Sequence, residues 1–110
     1  MLLKIVLCFA LYVAPWQVTA YCPCRVCCGP KAHGITASGS RADHSLLAAD
    51  PLIPFGVVIE VPGYGRARVE DRGGAIKGMH LDVLLPTHRQ ARQWGVQWHR
   101  VRVLPAAEDL

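Results

Sequence analysis

Two aspartates flank a glycine-rich stretch in the second half of the chain. Asp71 and Asp82 are eleven positions apart, and Gly73, Gly74 and Gly78 lie between them. Glycines let a backbone turn sharply and approach a ligand closely, so this spacing can bring both carboxylates into one groove suited to acid–base chemistry. The stretch lacks the G-x-x-x-x-G-K-[ST] order of a phosphate loop. A hairpin-like turn that carries two solvated aspartates is the alternative.

Four cysteines form the second group with chemical potential. Cys22, Cys24, Cys27 and Cys28 have the spacing C-x-C-x-x-C-C. In an exported protein an even number of thiols predicts disulfides, and four thiols allow three connectivities. A zinc site is the alternative, because tetrahedral zinc accepts thiolates and C-x-x-C loops often present two of them. Free thiols are the third interpretation. In the first two cases the cluster staples a loop.

The first twenty residues have the layout of a secretory leader. Lys4 precedes an apolar run from Ile5 to Ala14, Pro15 interrupts it, and Val18 to Ala20 close the segment. The run is too short to span a membrane comfortably as a permanent helix. We therefore expect residues 1–20 to act as a signal peptide or an N-terminal anchor, and the protein to lie in the periplasm, the cell envelope or outside the cell. Membrane association is expected only if this segment is not cleaved.

Length and composition fit one small domain. The chain has 110 residues, of which 52% are apolar and 18% charged. Without residues 1–20 only 90 remain, and a chain of that length buries about 60–65% of its unfolded surface, so its core is marginal. The net charge of +4 is modest, and the arginines are scattered without aromatic residues between them on one face. Nucleic-acid binding is therefore not expected.

Short strands must position the aspartates, because apolar and polar residues alternate along several stretches. We predict strands at 57–61, 66–70, 80–83 and 97–104, with a turn at 62–65 that joins the first two as a hairpin. Thr87 and Gln90 have capping-box form and start a helix that Gly95 ends in a left-handed conformation. Several strands with one short helix predict an all-β fold, and a small barrel leaves few sheet edges exposed.

The predicted strand at 80–83 sets the direction of Asp82. Leu81 and Val83 alternate with His80 and Asp82, so the two apolar residues face the core and the two polar ones share the other face. His80 is either a second proton carrier or a surface histidine. Trp94 has helical spacing from Ala91 and is predicted to face the core.

Several segments together carry a resemblance to a known family. They are Thr19–Tyr21, Thr36–Gly39, Ala49–Pro51, Ile53–Gly56, Asp71–Gly78 and Leu81–Asp82. With these segments the sequence resembles the 3D domain, which is named for three aspartates and is related to the catalytic domain of membrane-bound lytic transglycosylase A. The resemblance extends over residues 18–104, which leaves residues 105–110 as a frayed tail.

The resemblance implies a six-stranded double-psi β-barrel that cleaves the glycan strands of peptidoglycan. It places the three family aspartates on Asp50, Asp71 and Asp82. Asp82 corresponds to the catalytic acid, which acts on the bond between N-acetylmuramic acid (MurNAc) and N-acetylglucosamine (GlcNAc), and the other two are supporting residues. No cofactor is implied, apart from zinc as the alternative at the cysteines. A noncatalytic module that binds or loosens cell-wall polysaccharide is the alternative function.

The same resemblance and the glycine-rich loop indicate which residues contact the glycan. Thr36 and Ser38 are implied to line the groove, and Gly73, Gly74 and Lys77 belong to the loop beside it. Tyr64 lies between glycines at a turn tip and is a further candidate for sugar contact.

Two features of the sequence bear on how the site would work. Burial and Asp71 would raise the pKa of Asp82, whereas Lys77 or Arg72 would lower it. Arg72 stands where the family commonly has a small or neutral residue. The family also uses residues 18–20 in its first strand, so a cleavage after Ala20 would remove part of that strand.

Overall fold

A computed structural model describes residues 14–29 and 33–104 of the chain. The described residues form seven strands, which are β1 (Trp16–Tyr21), β2 (Leu46–Ala48), β3 (Val58–Val61), β4 (Gly65–Asp71), β5 (His80–Leu84), β6 (Gln97–His99) and β7 (Arg102–Leu104). They also form a single helical turn, α1 (Arg25–Cys28), and one short helix, α2 (His88–Trp94). The mainly β class with one short helix is therefore confirmed. The predicted tail and most of the predicted leader, residues 1–13, lie outside the described residues.

The seven strands form one sheet that must curl strongly. Their order is β6-β1-β5-β2-β4-β3-β7, with parallel pairing in β1–β5 and β2–β4. A flat sheet of seven strands would hold its edges about 29 Å apart. Only Arg100 and Val101 separate β6 from β7, and three Cα steps reach about 11 Å at most. The two edges therefore approach each other at this link.

This link also corrects the predicted strand at 97–104. The structure divides that segment into β6, which pairs with β1, and β7, which pairs with β3. The physical reason is that the chain changes from one sheet edge to the other at Arg100 and Val101. Val101 is buried at the crossing, as predicted, whereas Val103 is only half-buried.

Alternating apolar residues of the strands build the core inside this curled sheet. The fully buried members include Val18, Leu47, Ile59, Val69, Leu81 and Val83. The predicted inward direction of Leu81 and Val83 is confirmed. The hairpin of β3 and β4 is confirmed as well, with Val61 opposite Gly65 at its turn.

Strand β1 is a central part of the fold, although its residues overlap the predicted leader. Trp16 and Val18 are buried, and β1 lies between β5 and β6. The Trp94 indole Nε1 donates to the Val18 carbonyl oxygen at 3.0 Å, and its ring packs against the core. Across residues 14–29 and 33–104, no helix is both long and apolar enough to cross a membrane. The cleavage position stays a prediction.

Strand β2 was not predicted from the sequence. Leu46, Leu47 and Ala48 are all buried between β4 and β5. A strand covered on both faces shows a continuous apolar run instead of alternation, and three residues are too few to reveal it.

Helix α2 begins as its sequence predicts. The Thr87 hydroxyl accepts from the backbone N–H of Gln90 at 3.2 Å, and the Gln90 side chain accepts from the Thr87 N–H at 3.2 Å. Gly95 ends the helix with φ of +66°, but its ψ of −136° lies outside the left-handed helical region. The helix is thereby fixed directly after the end of β5, at His88.

Candidate functional site

The sheet brings Asp71 and Asp82 together through the strand between them. In the register of the sheet, Ala48 of β2 is opposite Asp71 on one side and Asp82 on the other. Strands lie about 4.8 Å apart, so the two aspartate backbones are separated by about 10 Å. Strand β2 therefore brings together two aspartates that are eleven residues apart in the sequence. The glycine-rich stretch alone did not indicate this strand.

Asp82 lies in the middle of β5 and is half-buried. Its Oδ1 accepts a hydrogen bond from the Thr19 hydroxyl of β1 at 3.0 Å. Burial raises the pKa of Asp82 to about 6, and the negative charge of Asp71 acts in the same direction. The Thr19 hydrogen bond and the charge of His80 oppose this rise. Burial prevails, so Asp82 holds its proton to a much higher pH than an ordinary aspartate.

A short polar chain connects Asp82 to His80. The Thr19 hydroxyl oxygen lies 2.9 Å from His80 Nε2 and 3.0 Å from Asp82 Oδ1. With the proton on Nε2, His80 donates to the Thr19 hydroxyl oxygen, and the Thr19 hydroxyl donates to Asp82. Each of the two donors then has one acceptor. His80 is half-buried and has a polar partner, so it is not the solvated surface histidine of the simpler interpretation.

The Asp71 carboxylate is fully engaged in hydrogen bonds. Its Oδ1 accepts from the backbone N–H groups of Ala37 at 2.8 Å and Arg72 at 2.9 Å. Its Oδ2 accepts from the Tyr21 hydroxyl at 2.5 Å. Burial and the neighbouring Asp71 raise the pKa of Tyr21 above its usual range, so the phenol remains a donor. Asp71 therefore joins β1, β4 and the loop at Ala37 instead of presenting an unoccupied acid.

Asp50 holds the glycine-rich loop from the opposite side. Its Oδ2 accepts from the Gly78 N–H and its Oδ1 from the Leu52 N–H, both at 2.7 Å. These backbone hydrogen bonds, with Gly78 the stronger influence, lower the pKa of Asp50. Gly78 has φ of +64°, a conformation that favours glycine. Asp50 is therefore an ionised clamp on the loop.

The Arg72 side chain is directed at residues 49–55 and not at Asp82. Its guanidinium donates to the carbonyl oxygens of Ile53 at 2.7 Å and Ala49 at 3.3 Å. The same group lies 4.1 Å from the centre of the Phe55 ring. The charge of Arg72 thus braces residues 49–55, and together with Lys77 it helps to lower the pKa of Asp50.

The segment with Thr36 and Ser38 lies beside Asp71. Thr36 is buried, and its hydroxyl lies 2.7 Å from Ser40 Oγ and 3.0 Å from Ser38 Oγ. Ser38 is exposed, and its N–H donates to the Glu70 carbonyl oxygen. Tyr21, Thr36 and Asp71 line a cavity of about 130 Å³. The serine hydroxyl is therefore accessible, whereas Thr36 shapes the loop from within.

The remaining predicted contact residues are placed differently from one another. Gly74 and Lys77 are exposed on the loop. Gly73 is packed so closely that a Cβ would lie 2.8 Å from Ile76 Cγ1. The Tyr64 hydroxyl donates to the Leu84 carbonyl oxygen at 2.7 Å, and the ring packs edge-on against a tryptophan beside the core. The Tyr64 hydroxyl is therefore used inside the fold, but the residue also lines two surface cavities, and its role as a sugar contact stays a prediction.

Three of the four clustered cysteines converge with a histidine that was not predicted from the sequence. Cys22 Sγ lies 2.8 Å from Cys24 Sγ and 3.2 Å from Cys27 Sγ. His88 Nδ1 lies 3.4 Å from Cys27 Sγ and 3.9 Å from Cys24 Sγ. Burial and the neighbouring thiols raise the pKa of Cys22 to about 12. Cys28 points elsewhere, with its thiol donating to the Cys22 carbonyl oxygen at 3.2 Å.

No disulfide joins these four cysteines in the part of the chain that the structure describes. Both short sulfur–sulfur distances exceed the S–S bond length of about 2.05 Å. The structure therefore shows these four cysteines as free thiols, and the disulfide interpretation stays a prediction. The metal interpretation also stays a prediction, and the side chains that converge here are Cys22, Cys24, Cys27 and His88.

Two further site residues, Thr19 and Tyr21, belong to a segment that carries the family resemblance but were not predicted to contact the aspartates. They alternate on β1 and therefore project to the same face, towards Asp82 and Asp71. His88 had no comparable local signal, because it lies more than sixty residues from the cysteines.

Comparison with known proteins identifies the family of this chain. Residues 45–105 match the 3D domain. The chain is 42% identical over 76 residues to "Cell wall-binding protein YocH" of Bacillus subtilis (strain 168), which covers 64% of this chain and 26% of that protein. It is 36% identical over 88 residues to "Putative cell wall shaping protein YabE" of the same organism, which covers 78% of this chain and 21% of that protein. The chain therefore spans about a quarter or less of the length of these curated relatives. From its matched residues and its aspartates, the chain belongs to the 3D domain family.

Proposed function

We propose that the protein cleaves peptidoglycan glycan strands, with Asp82 as the single acid–base group. One observation carries this proposal: the half-buried Asp82 carboxyl has a pKa raised to about 6. A general acid is most effective when its pKa is close to the working pH, because it must both hold and release a proton. Asp50 has a lowered pKa and does not have this property, and both Asp71 carboxylate oxygens are already occupied by hydrogen-bond donors.

The proposed reaction needs one carboxyl group. Protonated Asp82 donates to the bridging oxygen between MurNAc and GlcNAc, and the bond from that oxygen to C1 of MurNAc breaks. The C6 hydroxyl of the same MurNAc attacks C1, and the Asp82 carboxylate accepts the hydroxyl proton. The products are a 1,6-anhydro end and a free GlcNAc hydroxyl, and Asp82 returns to its protonated form.

The hydrogen bonds around Asp82 suit this role. The Thr19 hydroxyl occupies Oδ1, which leaves Oδ2 for the glycosidic oxygen. Asp71 positions the loop at Ala37, and with it the accessible Ser38 hydroxyl. Asp50 positions the glycine-rich loop through Gly78. Both are positioning residues in this mechanism.

The finer architecture and the location belong to the same proposal. The parallel pairs β1–β5 and β2–β4 inside a curled sheet support a double-psi barrel. The names of the two relatives, which refer to cell-wall binding and shaping, support an extracytoplasmic location and peptidoglycan as partner.

A noncatalytic module that binds cell-wall polysaccharide is the second candidate. The observation that favours it is the name of the 42% identical relative, which states binding and no reaction. The two candidates differ in whether Asp82 must change protonation state during the protein's action.

Mass spectrometry of sacculi incubated with the protein separates the candidates. We expect anhydromuropeptides from the wild type and none from Asp82→Asn, which keeps an oxygen to accept from Thr19 but has no acidic proton to transfer. Asp43→Asn is the matched control, because Asp43 is exposed and pairs only with Arg41 and His44 among the contacts described.

Other outcomes of this experiment have distinct meanings. Products with reducing-end muramic acid would show that the reaction is hydrolysis and not transglycosylation. If neither protein yields products while both sediment with sacculi, the binding module is correct. Full activity in Asp82→Asn would refute the assignment of the acid.

A further inference from the structure

Three thiols and one imidazole converge at the sheet end beyond β1 and β5. The donor atoms of Cys22, Cys24, Cys27 and His88 all lie within 4.8 Å of one another. We propose that this Cys₃His quartet binds one Zn²⁺ ion as a structural site. The inference is independent of the proposed catalytic function.

Four of the six donor–donor distances can be compared with those of tetrahedral zinc. With Zn–S of about 2.3 Å and Zn–N of about 2.0–2.1 Å, a regular site has S···N edges of about 3.6 Å and S···S edges of about 3.8 Å. The observed Sγ···Nδ1 distances of 3.4 and 3.9 Å bracket the first value. The sulfur pairs at 2.8 and 3.2 Å must separate by up to about 1 Å to admit the ion.

The sheet topology explains why donors so distant in sequence meet. Strands β1 and β5 are parallel, so their carboxyl ends reach the same edge, with Tyr21 opposite Leu84. The backbone N–H of Leu85 donates to the Tyr21 carbonyl oxygen at 2.8 Å, and this hydrogen bond holds the carboxyl ends of the two strands together. Cys22 follows β1 directly, and the capped start of α2 presents His88 over it.

Four donors exceed what a disulfide requires. A disulfide would use only two of the three sulfurs, and it would not account for the third thiol and the His88 imidazole beside them. Three thiolates and one imidazole instead make up a complete tetrahedral set for zinc, a borderline-soft ion. Because no coordination position remains for water or substrate, the site is of the structural kind.

The position of the quartet indicates what the ion would stabilise. Cys22 directly follows Tyr21, whose hydroxyl donates to Asp71. An ion that binds Cys22 and His88 therefore fixes the end of β1, the strand that carries both Thr19 and Tyr21. This small domain would gain the reinforcement that its core alone supplies poorly.

The test begins with the full chain, purified without reductant or chelator. We expect one zinc per chain by elemental mass spectrometry, and five titratable thiols in denaturant with chelator, which equals the cysteine content. After exchange, Co²⁺ should show the visible bands of tetrahedral thiolate coordination at one ion per chain. Chelator should lower the thermal midpoint of unfolding.

Variants identify the ligands. Cys27→Ser and His88→Gln should lose the bound metal, whereas Cys28→Ser, the adjacent control, should retain one ion per chain. His88→Cys should rescue binding and shift the Co²⁺ spectrum towards four thiolates, which distinguishes ligation from a general loss of folding.

Two results would overturn the proposal. The first is a protein with three or fewer titratable thiols and no tetrahedral Co²⁺ spectrum, which would establish a disulfide. The second is equal metal loss in Cys28→Ser and Cys27→Ser, or undiminished binding in His88→Gln, which would refute this ligand set.

Discussion

Replacing Asp82 by asparagine should stabilise the protein at neutral pH and leave its stability almost unchanged in acid. In the native state the pKa of Asp82 is raised from 3.8 to about 6. Between these values the native protein retains a proton that the unfolded chain has released, so stability falls as pH rises through this window. The asparagine side chain would bear no charge and would avoid the penalty, while its oxygen still accepts from Thr19.

The size of the effect follows from the shift. One pKa unit corresponds to about 1.4 kcal/mol, so a rise from 3.8 to about 6 corresponds to about 3 kcal/mol. This value is an upper bound for the gain of Asp82→Asn over the wild type at about pH 7.5. At about pH 3.5 the wild-type carboxyl is largely protonated in both states, and the difference between the proteins should be near zero.

Urea unfolding of both proteins at about pH 3.5, 5 and 7.5 measures this difference, and the titrations of groups that do not interact with Asp82 cancel in the comparison. Asp50→Asn is a control with the opposite sign, because hydrogen bonds from Gly78 and Leu52 lower the pKa of Asp50 and stabilise the charged form. It should destabilise the protein at the highest of these pH values. A stability difference for Asp82→Asn that does not change with pH would refute the assignment of a protonated, desolvated acid.

Three other perturbations test the supports of the site. Tyr21→Phe removes a hydrogen bond to a carboxylate and should cost about 1.5–3 kcal/mol in urea unfolding, more than Tyr64→Phe, whose backbone partners in Leu46 and Leu84 are neutral. Deleting residues 1–20 removes nearly all of β1 and should abolish cooperative unfolding, whereas deleting 1–13 should preserve it, as circular dichroism during heating would show. Gly78→Ala places a Cβ at φ of +64° and should cost about 1 kcal/mol or more, with a matching loss in sacculus cleavage or binding; an unchanged midpoint would contradict the loop geometry.

Local features of this chain were readable from its sequence. The alternation in residues 80–83 predicted that Leu81 and Val83 face the core, and strand period alone decides this. The capping box of α2 was equally readable, because its hydrogen bonds join residues three positions apart. The three aspartates were recognisable by their motif, since the family pattern depends on short, contiguous strings.

Pairings between strands that are distant in the sequence could not be predicted in this way. The sequence contained no local sign of β2, yet this strand brings Asp71 and Asp82 together. The division of residues 97–104 between two sheet edges also depends on closure of the whole sheet. Such contacts are selected by the burial of the complete core, and no window of neighbouring residues contains that information.

Residue types and spacing by themselves determined that this chain carries carboxylates beside a flexible loop and thiols beside a strand. Only the tertiary structure decided which carboxyl group is desolvated, and which side chain joins the three thiols as a fourth donor. Asp82 acquires its raised pKa from burial against its strand neighbours, and His88 meets Cys27 because two parallel strands end at one edge. Both properties arise from surroundings that folding assembles, because solvent exclusion and long-range proximity do not exist in the extended chain.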